Sequence, residues 1–338
     1  MEGPFGKPHT PISEKIFTIA GILTAVYGLG ELPAGCKSVS CLWLLHPRLQ
    51  TKQYMTSVAS DCIHGWYQHR SADPQVGLIA VAFDQRNHGS REVTALANEA
   101  WKAGNSSHAQ DMFSIFQGTA MDVSLLMDHL GSYILYGPAD PQIDHHMAMG
   151  ISLGGHSTWQ LLLNEPRISS VVVIIGCPDY MCLMSDRARL SKLQTYTSGQ
   201  GASFVGSKDF PWALVSSIEK CDPRGILFGN SEINLNPSQD EQDRLRQILD
   251  SRIKGKRILI CSGKDDKLVP YRCSEPFLKF LKDATSTWYQ DGNVYIEDNI
   301  YPGVGHAYSD GMRKDTIRFI SDILAKKAGM GLKLTSKI

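Results

Sequence analysis

The sequence predicts an α/β protein, with a mostly parallel central sheet, helices on both faces and an inserted helical cap. Three observations predict it. Short apolar runs rich in β-branched residues recur along the chain, stretches with helical spacing separate them, and one connection is far longer than the rest. A strand covered on both faces reads as a continuous apolar run rather than as an alternation, which is what these runs show. The chain has 338 residues, 42% of them hydrophobic and 20% charged, enough to bury a large core. Its 34 Lys+Arg balance 34 Asp+Glu. That balance argues against a nucleic-acid partner, which is held mainly by clustered positive charge.

The first element expected is a β-hairpin over residues 16–32. The segment 16–30 has no charge, but Gly21, Gly28 and Gly30 break it. It is also too short for the roughly 20 apolar residues that span a membrane. Strands follow at 39–45, 76–83, 147–150, 171–176, 257–262 and 293–297. Helical stripes lie between and after them, among them Val123, Leu126 and Leu130, then Ile317, Ile320 and Leu324 near the C-terminus. Residues 178–256 form the long connection, several times what a crossover helix needs. Helical pieces at 181–196, 210–220 and 241–253 make it a cap, inserted into a core made of 1–177 and 257–338. Met181, Leu183, Met184, Phe210, Trp212 and Leu214 are its candidate substrate-lining residues, although packing within the cap explains each equally well.

Eight cysteines are spread along the chain with no C-x-x-C pair. Cys41 and Cys261 sit inside apolar runs, so free buried thiols in a reducing compartment are expected, with neither a metal site nor a cofactor. Asp144-His145-His146 has no accompanying cluster of ligands. Gly201 to Lys208 inverts the last two residues of a phosphate loop and follows no buried strand.

The residues with chemical meaning begin at Gly150-Ile151-Ser152-Leu153-Gly154-Gly155. This G-x-S-x-G ends one strand and opens a helix over 156–164, the context in which a serine is held on a strained turn with its hydroxyl projecting. Serine is a poor nucleophile near neutral pH. It needs an imidazole to take its proton and a carboxylate to orient that imidazole. On this topology the three follow in the order Ser, Asp/Glu, His, and of eleven histidines only His306 lies beyond residue 156. It stands in the glycine-punctuated loop Gly303-Val304-Gly305-His306. At the end of strand 257–262, Asp265 and Asp266 both occupy the position from which a carboxylate reaches the crevice of a parallel sheet. Two N–H donors would receive the oxyanion of a tetrahedral intermediate. Leu153, directly after the serine, supplies one. The second is expected from His46-Pro47-Arg48, where Pro47 has no N–H, leaving Arg48. The Arg48 side chain fits a salt bridge or solvation as well as it fits an anionic substrate group.

Together G-I-S-L-G-G-H at 150–156, G-K-D-D-K-L-V-P at 263–270, G-V-G-H at 303–306 and D-Q-R-N-H-G at 84–89 resemble the α/β-hydrolase-fold serine hydrolases over nearly the whole chain outside the cap. The resemblance implies a triad of Ser152, Asp266 and His306, and its spacing to Val269-Pro270 selects Asp266 over Asp265. It implies hydrolysis of an ester or thioester of a small-molecule acyl substrate. Asp84, Arg86 and His88 are then structural. The G-G-H extension is also similar to prolyl-oligopeptidase-like hydrolases. Two departures stand out: Pro47 replaces a glycine common in the oxyanion loop, and Asn87 replaces another glycine. The same frame also serves acyltransferases, secondary-metabolite enzymes and ligand-binding proteins with an idle triad. A cytoplasmic location is expected. The C-terminal Ser336-Lys337-Ile338 differs by one near-isosteric residue from the peroxisomal S-K-L address, which makes the peroxisome the other candidate.

Overall fold

The computed structural model describes residues 11–69, 75–137 and 140–327, so the C-terminal tripeptide lies outside the described residues. The chain opens with β1 (Glu14–Ile19), β2 (Ile22–Tyr27), β3 (Ser38–Leu45), α1 (Thr56–Tyr67), β4 (Val76–Phe83) and α2 (His108–Ile134). Then come β5 (Gln142–Ile151), α3 (Leu153–Asn164), β6 (Ile168–Ile174) and five helices: α4 (Tyr180–Leu190), α5 (Gln194–Thr197), α6 (Trp212–Cys221), α7 (Pro223–Phe228) and α8 (Gln239–Arg252). It closes with β7 (Arg257–Gly263), α9 (Glu275–Ser286), β8 (Tyr295–Tyr301) and α10 (Asp310–Lys327). The strands form one eight-stranded sheet in the order β1-β2-β4-β3-β5-β6-β7-β8. The β1–β2 and β2–β4 pairings are antiparallel, and β4 through β8 run parallel.

Alternate strand residues feed two separate cores. Val39, Cys41, Trp43 and Leu45 of β3, with Ile258 and Ile260 of β7, pack under α2, α3, α8 and α9. Leu42 and Leu44, with Leu259 and Cys261, face α1 and α10 on the other side. Both faces are therefore dry, which is why the strands read as unbroken apolar runs. All eight cysteines are free thiols, six of them buried.

Three strands, β5, β6 and β8, differ from their sequence boundaries, β6 starting at Ile168 where Ser169 meets His145, and side-chain partners explain the other two. β5 begins at Gln142 because its polar first half pairs with β3, where Ser38 donates to Asp144 at 2.8 Å, His145 meets the Ser40 hydroxyl, and Trp43 donates to His146. Asp144 also meets Lys327. β8 continues to Tyr301 through Glu297, Asp298 and Asn299, where Glu297 meets Arg318, Asp298 meets Lys282 and the Asn299 amide donates to Glu297. Partners distant in sequence make these polar strands stable.

The 178–256 stretch divides by packing. Leu227 and Phe228 of α7, with Leu245 and Leu249 of α8, join the core beneath the sheet face. Tyr180, Leu183 and Met184 of α4 and Leu214, Val215 and Ile218 of α6 instead form a third cluster with Phe113 and Phe116 from the first half of α2. No helix of the described residues is long and apolar enough to cross a membrane.

Candidate active site

Parallel strands end along one edge of the sheet, and β3, β5, β7 and β8 deliver their following loops there. At the end of β5, Ser152 has φ 56° and ψ −110°, a conformation that costs a side-chain-bearing residue about 1–3 kcal/mol. The surroundings hold it. Its N–H donates to the Ile174 carbonyl at 2.9 Å, and its carbonyl accepts from His156 at 3.0 Å. A Cβ on Gly150 would lie 2.0 Å from the Gly154 carbonyl oxygen, and one on Gly154 would lie 2.1 Å from that of Leu45. These two positions need glycine because backbone, not a yielding side chain, occupies the space.

Ser152 Oγ lies 2.8 Å from His306 Nε2, and His306 Nδ1 lies 2.7 Å from Asp266 Oδ2. The other Asp266 oxygen accepts the N–H groups of Leu268 at 2.8 Å and Val269 at 3.0 Å. Burial works against the Asp266 charge, but the His306 contact and the two amides hold the carboxyl below the usual carboxylate range. An ionised carboxylate can only accept, so the imidazole proton sits on Nδ1 and the Nε2 lone pair faces the serine hydroxyl. Asp265 is exposed and turns only its backbone N–H inward, to the Val304 carbonyl at 2.9 Å. The His306 loop can approach because Gly263 has no side chain: a Cβ there would sit 2.4 Å from the Gly305 oxygen.

Leu153 is the first residue of α3, whose opening N–H groups have no acceptor within the helix. It and Arg48 line the same cavity as Ser152 and His306, a hollow of about 540 Å³. The Arg48 loop is anchored at His46. Its Nδ1–H donates to the Pro47 carbonyl at 2.8 Å and its Nε2 accepts the Gln85 N–H at 3.0 Å, while burial pushes its pKa down to about 4. The Arg48 guanidinium donates to the Asn98 carbonyl at 2.7 Å and makes no ion pair among the described residues.

The 84–89 motif lies behind this edge. Asp84 accepts from the backbone N–H and Nζ of Lys52 at 2.8 and 2.9 Å and from the Ser90 hydroxyl at 2.7 Å, and Arg86 grips Asp122. None of its residues lines the cavity. Asn87 has φ 58°, the left-handed region that asparagine tolerates best after glycine, which accounts for the residue found there.

The six apolar lining candidates are a correction. Met181, Leu183, Met184, Phe210, Trp212 and Leu214 are absent from the cavity wall. Leu183, Met184, Phe210 and Leu214 are buried in the third cluster, and Trp212 is 62% exposed. The apolar stripe of α4 turns toward α2, which leaves Arg187 and Leu190 on its flank to face the cavity. Sequence reasoning missed Arg187 and His108. The available signal was a cation at helical spacing beside that stripe.

This strand order and this strand-turn-helix serine define the α/β-hydrolase fold, and comparison with solved structures agrees. The protein TT1662 from Thermus thermophilus is similar at TM-score 0.54 and 16% identity, over 93% of this chain and 99% of that one. An esterase from Pyrococcus furiosus is similar at TM-score 0.50 and 16% identity, over 97% and 96%. An acylaminoacyl peptidase from Pyrococcus horikoshii is similar at TM-score 0.53 and 11% identity, over 97% of this chain but 43% of the peptidase. No family model matches the chain, and no curated protein does. At these identities the likeness shows the fold alone.

Proposed function

We propose that the protein is a serine hydrolase that cleaves a carboxylic ester or thioester of a small organic substrate through an acyl-enzyme. The observation that supports this reading is the unbroken line from Ser152 Oγ through His306 to Asp266, with contacts of 2.8 and 2.7 Å, opening on a cavity. Ser152 Oγ attacks the substrate carbonyl carbon as its proton passes to His306 Nε2. Asp266 holds the imidazole orientation and stabilises its charged form. The backbone N–H groups of Leu153 and Arg48 receive the oxyanion, each worth up to about 3–4 kcal/mol of barrier. His306 then protonates the departing alcohol or thiol, and the acyl group remains on Ser152. Water, deprotonated by His306, repeats the addition, releases the acid and restores the serine. The α4 part of the 178–256 segment, with the start of α2 and the loop before it, closes this space from above and sets which acyl group enters.

The test is intact-mass analysis after exposure to a fluorophosphonate, followed by a panel of chromogenic esters of graded acyl length. A single adduct on the native chain, missing in Ser152→Ala, together with ester turnover is the expected result. Equal labelling of the variant, or no adduct and no turnover, overturns the proposal. Adding a competing alcohol or thiol distinguishes hydrolysis from acyl transfer by the products formed.

A further inference from the structure

The cavity above Ser152 carries charge of one sign. Arg48, Lys102, Arg187 and Lys267 line it, and among the described residues no aspartate or glutamate does. Elsewhere in the fold Lys256 is held by the Leu162 and Glu165 carbonyls, but other cations withdrawn from water meet carboxylates: Lys52 meets Asp84, and Arg318 meets Glu297. That is the ordinary arrangement, because a cation withdrawn from water loses its hydration and needs a countercharge.

Arg187 has no such partner among the described residues. Its Nη1 donates to His108 Nε2 at 3.2 Å and to Met112 Sδ at 3.0 Å, and its Nη2 donates to the Leu268 carbonyl at 3.1 Å. All three acceptors are neutral. The neutrality of His108 is built in. Its Nδ1–H donates to the Glu99 carbonyl at 2.8 Å, which turns the Nε2 lone pair toward the guanidinium. Burial, with Arg187 and Arg48 nearby, pushes the His108 pKa down to about 3. Burial also pushes the Arg187 guanidinium down to about 10, and the charge of Arg48 adds to this. Three neutral acceptors thus orient the fork without cancelling its charge, in the same hollow as the serine hydroxyl.

We infer that Arg187, with Arg48 beside it, docks an oxyanion on the substrate, so that the ester or thioester cleaved here is one bearing a carboxylate or phosphate. A planar guanidinium fork matches the paired oxygens of either group. The inference rests on the serine-hydrolase reading for the bond cleaved, and on the unpaired cations for the charge.

The test compares kcat/KM for 4-nitrophenyl hydrogen adipate with that for methyl 4-nitrophenyl adipate, which differ in charge at the far end of the acyl chain. The native protein should prefer the anionic ester by roughly ten- to a hundredfold, as expected for a charge-assisted hydrogen bond. In Arg187→Gln the ratio should fall to about one, and Arg187→Lys should keep part of the preference. The ratio is taken within each protein, so a general loss of fold or turnover does not imitate the effect. A native preference for the neutral ester, or an unchanged ratio in Arg187→Gln, overturns the inference.

If Arg187→Gln does not fold, protection of the native protein against fluorophosphonate labelling decides. Protection by free adipate or by inorganic phosphate supports an oxyanion site and says which source it takes, and protection by neither overturns it. If the native chain neither labels nor turns over any ester, the hydrolase reading fails by itself. Calorimetric titration with adipate and phosphate then tests the anion site separately, and no heat of binding overturns it.

Discussion

Two walls enclose the cavity at Ser152, and different physics builds them. The lower wall is the edge where β3, β5 and β7 end. There, carbonyl oxygens crowd the space that Cβ atoms on Gly150 and Gly154 would take, and two backbone N–H groups fix the Asp266 carboxylate that holds His306. The upper wall comes from the first half of α2, from α4 and from their neighbouring loops. Aromatic packing around Tyr180, Phe113 and Phe116 holds it, with rings 5.0 to 5.3 Å apart, and its polar groups meet neutral acceptors. A wall made of backbone has no room to adjust. A wall made of side chains can change while the lower edge stays as it is, which suits one to chemistry and the other to selection.

The strongest way to break this comparison is Gly154→Ala. The new methyl would meet the Leu45 carbonyl oxygen at 2.1 Å, so α3 must move away from β3 and take Ser152 and Leu153 with it. Ester turnover should fall by about a hundredfold or more, with a stability loss of about 1–3 kcal/mol in thermal or urea unfolding. Near-native turnover would show that the lower wall yields after all.

Asp84→Asn probes the support behind the same edge. Burial opposes the Asp84 charge, yet the bonds from Lys52 and Ser90 lower its pKa from 3.8 to about 2. A carboxyl held below its free value stabilises the fold fully above about pH 4, and that contribution disappears as pH falls through about 2. At pH 7 it amounts to about 2 kcal/mol, and the variant should lose at least that in urea unfolding. The gap between native and variant should narrow as pH falls from 4 to 2. A gap that stays constant over that range would mean that the carboxyl titrates as if it were free.

The smallest effect is expected in the upper wall. Tyr180 donates to the Ala109 carbonyl at 2.7 Å, joining α4 to the start of α2. Tyr180→Phe should lower stability by about 1 kcal/mol. It should raise KM for the panel esters while leaving kcat within a few-fold, because no lower-wall contact changes. A collapse of kcat would show that the two walls are not independent.

The same division governs what can be read from the chain. The serine turn is legible in Gly150 to Gly155, because a strained strand-to-helix turn depends on small residues at fixed local spacing. The strands β3, β4 and β6 are legible because both faces of each are apolar. The first half of β5 is not, since Asp144 and His145 are stable in a strand only through Ser38, Lys327 and Ser40. Met181 and Trp212 look like lining residues in sequence, and only the turn of α4 and α6 toward α2 removes them from the wall.

What the sequence alone determined is the fold class, the serine turn and His306, while the family resemblance was needed to set Asp266 apart from Asp265. Backbone conformation and chain order are local properties, and hydropathy and glycine spacing report them directly. What the tertiary structure decided is the charge of the cavity. Arg187, Arg48 and His108 lie on three separate segments, and of the three only Arg48 offers itself in sequence as a partner for an anionic group. Packing of α4 across α2 brings Arg187 against His108 at the cavity that Arg48 also lines, and among the described residues it leaves the Arg187 guanidinium without a carboxylate. An unpaired charge is a statement about which groups are absent from its surroundings, and only the folded chain has surroundings.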